Sequence, residues 1–468
     1  MSEQSFDNQP SQTRTPNPRL LELNEKAKNP NGLTPHEEGE RRGLFAHPDD
    51  HEAQRLLQRE YLSSLGLGKM NDADRERLRA IRAENHARRQ REERQIEPTG
   101  ITDEDRDRSV DQAQARSHEL QVLYTQAKIA SLEKDWRGDP KAIIDDMIED
   151  MPDDVTVYTM DTIARIPKDE PKPLELYLLS HAHSLPEFTD SKPEGALSVM
   201  ESMRCLRDEV RTKKFLLGIK EAIEGLDASG VDVIRMCDAG TGAIPILAIY
   251  AALCSDKVQC DALELNPNAA RIAQEVVREF GLEDRIHVRQ ADATEFQPEE
   301  PLDFLVSETM HSGLTAEPIV QILSNLQPHV KDTGITLPSR INVQASLVSL
   351  KDYASPNVGF VKIYGDMHPV TEQDWQEVAS YSPGDNLDEI AFALPTEDKP
   401  QGDYMVGITS TVDVGTQHIA PLQSLITMPQ YVRDTKSDPR IFTLTGNQSQ
   451  EPIRVQYKPG ETLEGKAD

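Results

Sequence analysis

Four cysteines in 468 residues, Cys205, Cys237, Cys254 and Cys260, are too few to staple the chain and show no paired metal spacing. Most lie in apolar stretches, so reduced core thiols are expected and no metal site is read. No apolar run approaches the roughly 18 residues of a membrane helix, and the opening MSEQSFDNQP carries no secretory signal. A soluble, cytoplasmic protein without a membrane partner is the expectation. Positive charge is also short: 51 Lys and Arg stand against 81 Asp and Glu, a net charge of −30. Binding phosphates needs a positive field, which disfavours nucleic acid as a direct partner. An acidic surface attracts basic peptides, though solubility accounts for acidity equally well. No internal repeat is found.

The length suits about three domains. Residues 1–18 are polar, hold three prolines and read as disordered. Residues 19–195 read as a mainly helical extension, with starts at Thr34, Asn71 and Thr102, the last helix running to Trp136. Pro98-Thr99-Gly100 and the KDEPKP run near residue 170 are expected joints. The Arg-rich stretch from Arg75 to Arg94 is interspersed with glutamates and reads as a solvated face.

The richest segment is Val231 to Gly242, VDVIRMCDAGTG, an apolar strand entering a glycine turn and then a helix. Gly240 and Gly242 let the backbone turn sharply and a ligand lie against bare main chain, while the helix start offers unpaired N–H groups. A dinucleotide fingerprint wants a third glycine where this chain has Pro245, so NAD is disfavoured. Strands then alternate with helices. Val258 to Leu265 ends in Glu264, Arg285 to Gln290 leads to Asp292, and Leu302 to Ser307 leads to Glu308. In an open parallel sheet, ligands bind beyond the carboxyl ends of the strands, so Asp238, Glu264, Asp292 and Glu308 are expected to face one crevice. Taken singly, Glu264 and Asp292 are equally readable as solvated loop carboxylates. After Pro338, the short alternating runs INVQASLVSL, FVKIY, YMVGITSTVDV and IRVQY indicate a β-barrel or sandwich.

The acid followed by glycines at alternate positions resembles the first motif of class I S-adenosylmethionine (SAM) methyltransferases, with Ile244 where many members keep a third glycine. SETMHSGLTAE, Ser307 to Glu317, is similar to the double-glutamate loop of protein arginine methyltransferases, whose two glutamates also stand nine residues apart. LRDEVRT (Leu206 to Thr212) resembles that family's cofactor-covering helix, and GITLPS (Gly334 to Ser339) the passage into its β-barrel. The likeness covers roughly residues 196 to 345. It implies a Rossmann-like SAM-binding domain over 196–338 and a β-barrel-like domain over 339–468, with possible homodimers. It also implies residue roles: Arg211 on the cofactor carboxylate, Glu308 and Glu317 gripping the acceptor, Asp208 facing the active site, and Met310 near the methyl group. Asp238, Gly240 and Gly242 would form the cofactor turn, Glu264 would take the ribose hydroxyls, and Asp292 would meet the adenine edge. Surface ion pairs for Arg211 and Asp208, a helix first-turn carboxylate for Glu317 and plain core for Met310 are the competing readings.

The family usually has an aromatic residue after the first glutamate and a Thr-His-Trp loop in the barrel; here stand Thr309 and Thr416-Gln417-His418. Without those walls a guanidinium loses its stacking faces, which puts arginine specificity in doubt. His418 is a candidate partner for Asp208 and carrier of the departing proton, or else a histidine in a hairpin near Gly415. Three functions remain open: transfer of methyl to a guanidino or amine nitrogen of a protein or peptide, methylation of a small molecule, and a catalytically silent SAM-binding scaffold.

Overall fold

The computed structural model describes residues 122–128, 130–131, 134, 136, 138–158, 171–181, 193, 195–353, 359–363, 366–370, 374–434, 439–445 and 451–467. The expected disorder over 1–18, the helix starts at Thr34, Asn71 and Thr102, the Arg75–Arg94 stretch and the joint at Pro98 lie outside these residues. Residues 122–128 and 130–131 are helical, whereas Trp136 stands outside the helix expected to reach it. Next come α1 (Pro140–Asp150), the short β1 (Val157–Tyr158) and α2 (Pro173–Ser180), where Pro173 of the KDEPKP run supplies the first helical residue rather than a joint alone.

The nucleotide-type domain follows as α3 (Val199–Arg204), α4 (Glu209–Ala228), β2 (Ile234–Ala239), α5 (Ile246–Cys254), β3 (Val258–Glu264), α6 (Pro267–Glu279), β4 (Ile286–Gln290), β5 (Leu302–Ser307), α7 (Ile319–Leu326) and β6 (Val330–Leu337). Local chemistry sets these boundaries. Asn266 caps α6 through a bond accepted from the Asn268 N–H, Pro267 occupies the first helical position, and Gly281 follows the helix at φ +65°. The five strands form one parallel sheet in the order β4-β3-β2-β5-β6. The chain builds outward from β2 through β3 to β4, then crosses back to lay β5 on the other side of β2. Ala239 pairs in register with Ser307, so the turn at Gly240 and the carboxylate at Glu308 leave the sheet side by side at its topological switch point. Sequence pattern anticipated β2 to β5 but not β6, whose residues are half-buried or exposed in runs up to buried Leu337 and end in the GITLPS passage.

Beyond β6 the described strands pair antiparallel. They are β7 (Arg340–Ser349), β8 (Gly359–Ile363), β9 (Asp366–Val370), β10 (Gln376–Tyr381), β11 (Ile390–Leu394), β12 (Gly402–Val414), β13 (Gln417–Ile419), β14 (Gln430–Tyr431), β15 (Phe442–Leu444) and β16 (Ile453–Tyr457). The long β12 organises them, pairing with β7 from Tyr404↔Ser349 to Asp413↔Arg340 and also carrying β13, β14 and β15. The six-stranded sheet has the open order β10-β7-β12-β13; β11 pairs with β16, and β1 joins β8 and β9. One continuous buried core links α1 and α2, the parallel sheet and this antiparallel domain. No helix among the described residues is long and apolar enough to cross a membrane.

Candidate active site

Above the switch point lies a cavity of about 1020 Å³, the size of the largest small-molecule sites, which run to ~1,000 Å³. Gly240, Thr241 and Gly242 form its floor, and Glu264, Asp292, Glu308, Met310, Glu317 and Arg211 all line it. Gly240 has φ +84°, and a Cβ there would stand 2.1 Å from the Thr309 methyl. Glycine is therefore required both by backbone conformation and by the approach of the β5 loop.

The amides of the turn itself are engaged within the protein. Gly240 and Thr241 donate to the Leu263 carbonyl at 2.9 and 2.8 Å, Gly242 to Glu264 Oε2 at 2.9 Å, and Ala243 to Ser202 Oγ at 3.2 Å. It is a rigid, glycine-thin floor whose donors are already used. Glu264 braces it, its other oxygen accepting from the Asn266 N–H at 2.7 Å. Burial lifts the Glu264 carboxyl above its usual range, opposed by these backbone donors. A carboxylate has about four acceptor sites, so capacity remains for a ligand's hydroxyls.

Asp238 corrects the expectation that four acids share the crevice. It is 1% exposed and does not line the cavity; Oδ2 accepts from the Thr241 hydroxyl at 2.6 Å, and Oδ1 is buried beneath the turn. Burial pushes this carboxyl up to about 7. Asp238 shapes the turn from beneath. Asp292 does reach the cavity, with Oδ1 held by the Thr294 N–H and hydroxyl.

Arg211 lies in the first turn of α4, whose N-cap is Asp208. Its Nη1 donates to Glu308 Oε1 at 2.8 Å and its Nη2 to the Cys205 carbonyl at 2.6 Å. The guanidinium expected on a cofactor carboxylate is thus paired with Glu308, the first of the two glutamates. Burial, opposed by Arg211 and reinforced by the charges of Glu317 and Asp208, pushes the Glu308 carboxyl up to about 7. Glu308 and Glu317 sense each other across one cavity. Glu317 is not the first-turn carboxylate of a helix capped by Thr315: α7 starts at Ile319, and Thr315 is engaged within the loop.

That loop is strained. Gly313, Leu314 and Ala316 have φ of +71°, +57° and +61°, and such conformations at non-glycine residues cost of order 1 kcal/mol or more each. The antiparallel domain holds it there. Ser410 Oγ accepts from the Gly313 N–H, the Tyr457 hydroxyl donates to the Gly313 carbonyl, and Gly460 and Glu461 bind the backbone of Leu314 and Ala316.

Asp208 and His418 depart from expectation. Asp208 is 3% exposed but does not line the cavity; its Oδ2 accepts from the Ser424 hydroxyl at 2.6 Å and the Leu425 N–H at 2.9 Å, tying α4 to the antiparallel domain. His418 sits on the β12–β13 hairpin with Nδ1 2.6 Å from Asp413, half-exposed and away from the cavity, while Thr416 and Gln417 bind Glu221. A hairpin next to Gly415 turns this histidine outward, and Ser424 holds the contact to Asp208 foreseen for it. Sequence reasoning passed over Ser202, His311, Leu425 and Ile426, which also line the site. His311 alone carried a signal, standing inside the double-glutamate segment.

No protein-family model matches the chain. It is 31% identical over 192 residues to protein arginine N-methyltransferase 1 of Schizosaccharomyces pombe, covering 40% of this chain and 52% of that protein. It is 35% identical over 117 residues to an arginine N(omega)-methyltransferase of Streptomyces achromogenes subsp. streptozoticus, covering 24% and 32%. The chain is arginine-methyltransferase-like. A shorter match, 38% over 80 residues, is to the tRNA1(Val) (adenine(37)-N6)-methyltransferase of Erwinia tasmaniensis, covering 17% of this chain and 33% of that protein. The chain thus spans about half of the first of these methyltransferases and about a third of the other two.

Proposed function

We propose that this protein is a SAM-dependent methyltransferase acting on a guanidino or amine nitrogen. The observation that carries the reading is that Glu308 and Glu317 line the same cavity as the Gly240–Gly242 turn and feel each other's charge. SAM fits the residues present. Its ribose hydroxyls are donors suited to Glu264, its adenine amino group to the Asp292 corner, and its sulfonium to a cavity rich in carboxylate, with Met310 as an apolar wall. Arg211 is positioned to take the cofactor carboxylate on leaving Glu308, since a guanidinium binds carboxylates in a planar, bidentate way.

A guanidinium has a pKa above ~12 and delocalised lone pairs, so it is a poor nucleophile in water. Two carboxylates that hold its fork localise positive charge on the nitrogens they touch and aim another at the methyl donor. Alignment of this kind lowers a barrier by roughly 7 kcal/mol or more in favourable cases. Thr309, in place of an aromatic wall, and similarity to a relative named for arginine itself favour a second reading, methylation of a small guanidino compound. A nucleic-acid acceptor, as in the name of the tRNA relative, fits poorly with the charge of −30.

The test is transfer of radiolabelled methyl from SAM into cell lysate, with label sorted among protein, RNase-sensitive material and small solutes. Label in protein supports the first reading and label in small solutes the second. Absence of transfer, or full activity in both Glu308→Gln and Glu317→Gln, removes the nitrogen clamp.

A further inference from the structure

The double-glutamate loop holds a third titratable side chain on the same cavity wall. His311 lies three residues after Glu308, and its Nδ1 is 2.7 Å from the Thr315 hydroxyl. That hydroxyl is itself 2.8 Å from the Ser312 carbonyl. A carbonyl only accepts and a hydroxyl has one proton, so the Thr315 proton must point to Ser312. Thr315 then has only lone pairs to offer His311, and Nδ1 must carry the imidazole proton. The tautomer is fixed with the lone pair on Nε2, for which no partner is found among the described residues. Thr315 is 2% exposed and the loop is pinned through Gly313 and Leu314, so the donor–acceptor chain is rigid.

Methyl transfer to a nitrogen that bears hydrogen leaves one proton in excess. We propose that Nε2 of His311 accepts this proton from the acceptor nitrogen, making His311 the general base of the site. The N–H bond breaks with its electron pair returning to the acceptor nitrogen, the new bond forms at Nε2, and the resulting imidazolium passes the proton to water. Burial and the charge of Arg433 lower the pKa of His311, which keeps the imidazole neutral at pH 7 and opposes retention of the proton. The other charged groups of this loop on the cavity are Glu308 and Glu317, which hold the acceptor and remain anionic only if the proton goes elsewhere; Glu201, Arg204, Arg211, Glu264 and Asp292 supply the remaining charges of the lining. A weak base suffices, because a freshly methylated guanidinium nitrogen that still carries its proton is a strong acid.

This inference rests on the methyl-transfer reading, and the test separates the two. His311→Asn keeps an N–H to donate to Thr315 but has no basic nitrogen; His311→Ala leaves space for imidazole. We expect His311→Asn to lower kcat by about 100-fold, with SAM affinity and melting temperature unchanged, and added imidazole to restore His311→Ala. Independently of turnover, nitrogen NMR of the wild-type protein at pH 7 should show the Nδ1–H tautomer. Wild-type kcat in His311→Asn, failure of imidazole to restore His311→Ala, or an Nε2–H tautomer overturns the proposal. No methyl transfer by the wild-type protein to any acceptor would instead defeat the reading beneath it.

Discussion

Glu308 and Asp238 are two buried carboxyls with raised pKa values and opposite consequences. In its proposed role Glu308 must be anionic to hold a cationic acceptor, so kcat/KM should fall as pH drops through about 7. SAM affinity measured by calorimetry over the same range should change much less. Asp238 bears on stability. A carboxyl whose folded pKa lies above its unfolded value stabilises the fold only when protonated, so its contribution is present below about pH 4 and is lost as pH rises through about 7. Asp238→Asn preserves an oxygen for the Thr241 hydroxyl and removes the charge. Urea midpoints should show the variant more stable than wild type at pH 8, by up to about 4 kcal/mol, and equal to it near pH 4. Glu264 is the third case: Glu264→Ala should weaken SAM binding at least tenfold, because charge-assisted hydrogen bonds contribute about 1.5–3 kcal/mol. Unchanged calorimetric affinity would exclude the ribose role.

At the scale of elements, the β5–α7 loop, the proposed acceptor wall, cannot shape itself. Three left-handed residues stand within four positions, and the loop stays there because β12 and β16 supply Ser410 and Tyr457 to its backbone. Tyr457→Phe removes the donor to the buried Gly313 carbonyl, a change worth about 1–3 kcal/mol. The expected outcome in steady-state kinetics is a raised acceptor KM, with SAM dissociation constant within about twofold of wild type. If acceptor KM does not move, the loop keeps its shape by other means. Asp208 belongs to the same logic: it caps α4 and binds Ser424 and Leu425, so the helix that carries Arg211 is set by the antiparallel domain.

Across the whole molecule, the charge of −30 acts at a distance that salt limits to about 8–10 Å. A basic peptide acceptor should therefore show KM rising between low and physiological ionic strength, whereas a small acceptor, reached chiefly through the cavity itself, should show a shallower dependence. Equal slopes would assign the acidity to solubility alone. Among the described residues, the site's walls run from Pro193 and the start of α3 through α4 and the parallel sheet to Leu425 and Ile426.

Local chemistry made much of this legible without coordinates. Period and turn residues marked β2 to β5, Asn266-Pro267 marked the start of α6, and the spacing of Glu308 and Glu317 marked the acid pair, because each is decided by neighbours a few residues away. The strand β6 escaped because its half-buried residues give no clean alternation. Tertiary structure decided what depends on distant partners: that Arg211 rests on Glu308, that Asp238 lies under the turn, and that Ser424 rather than His418 meets Asp208. It also turned His311 toward the cavity wall, through a strained loop whose conformation is held by hydrogen bonds from strands some hundred residues later in the chain. Hydrogen bonds across that separation leave no periodic trace in a sequence, and only the folded chain brings their donors and acceptors together.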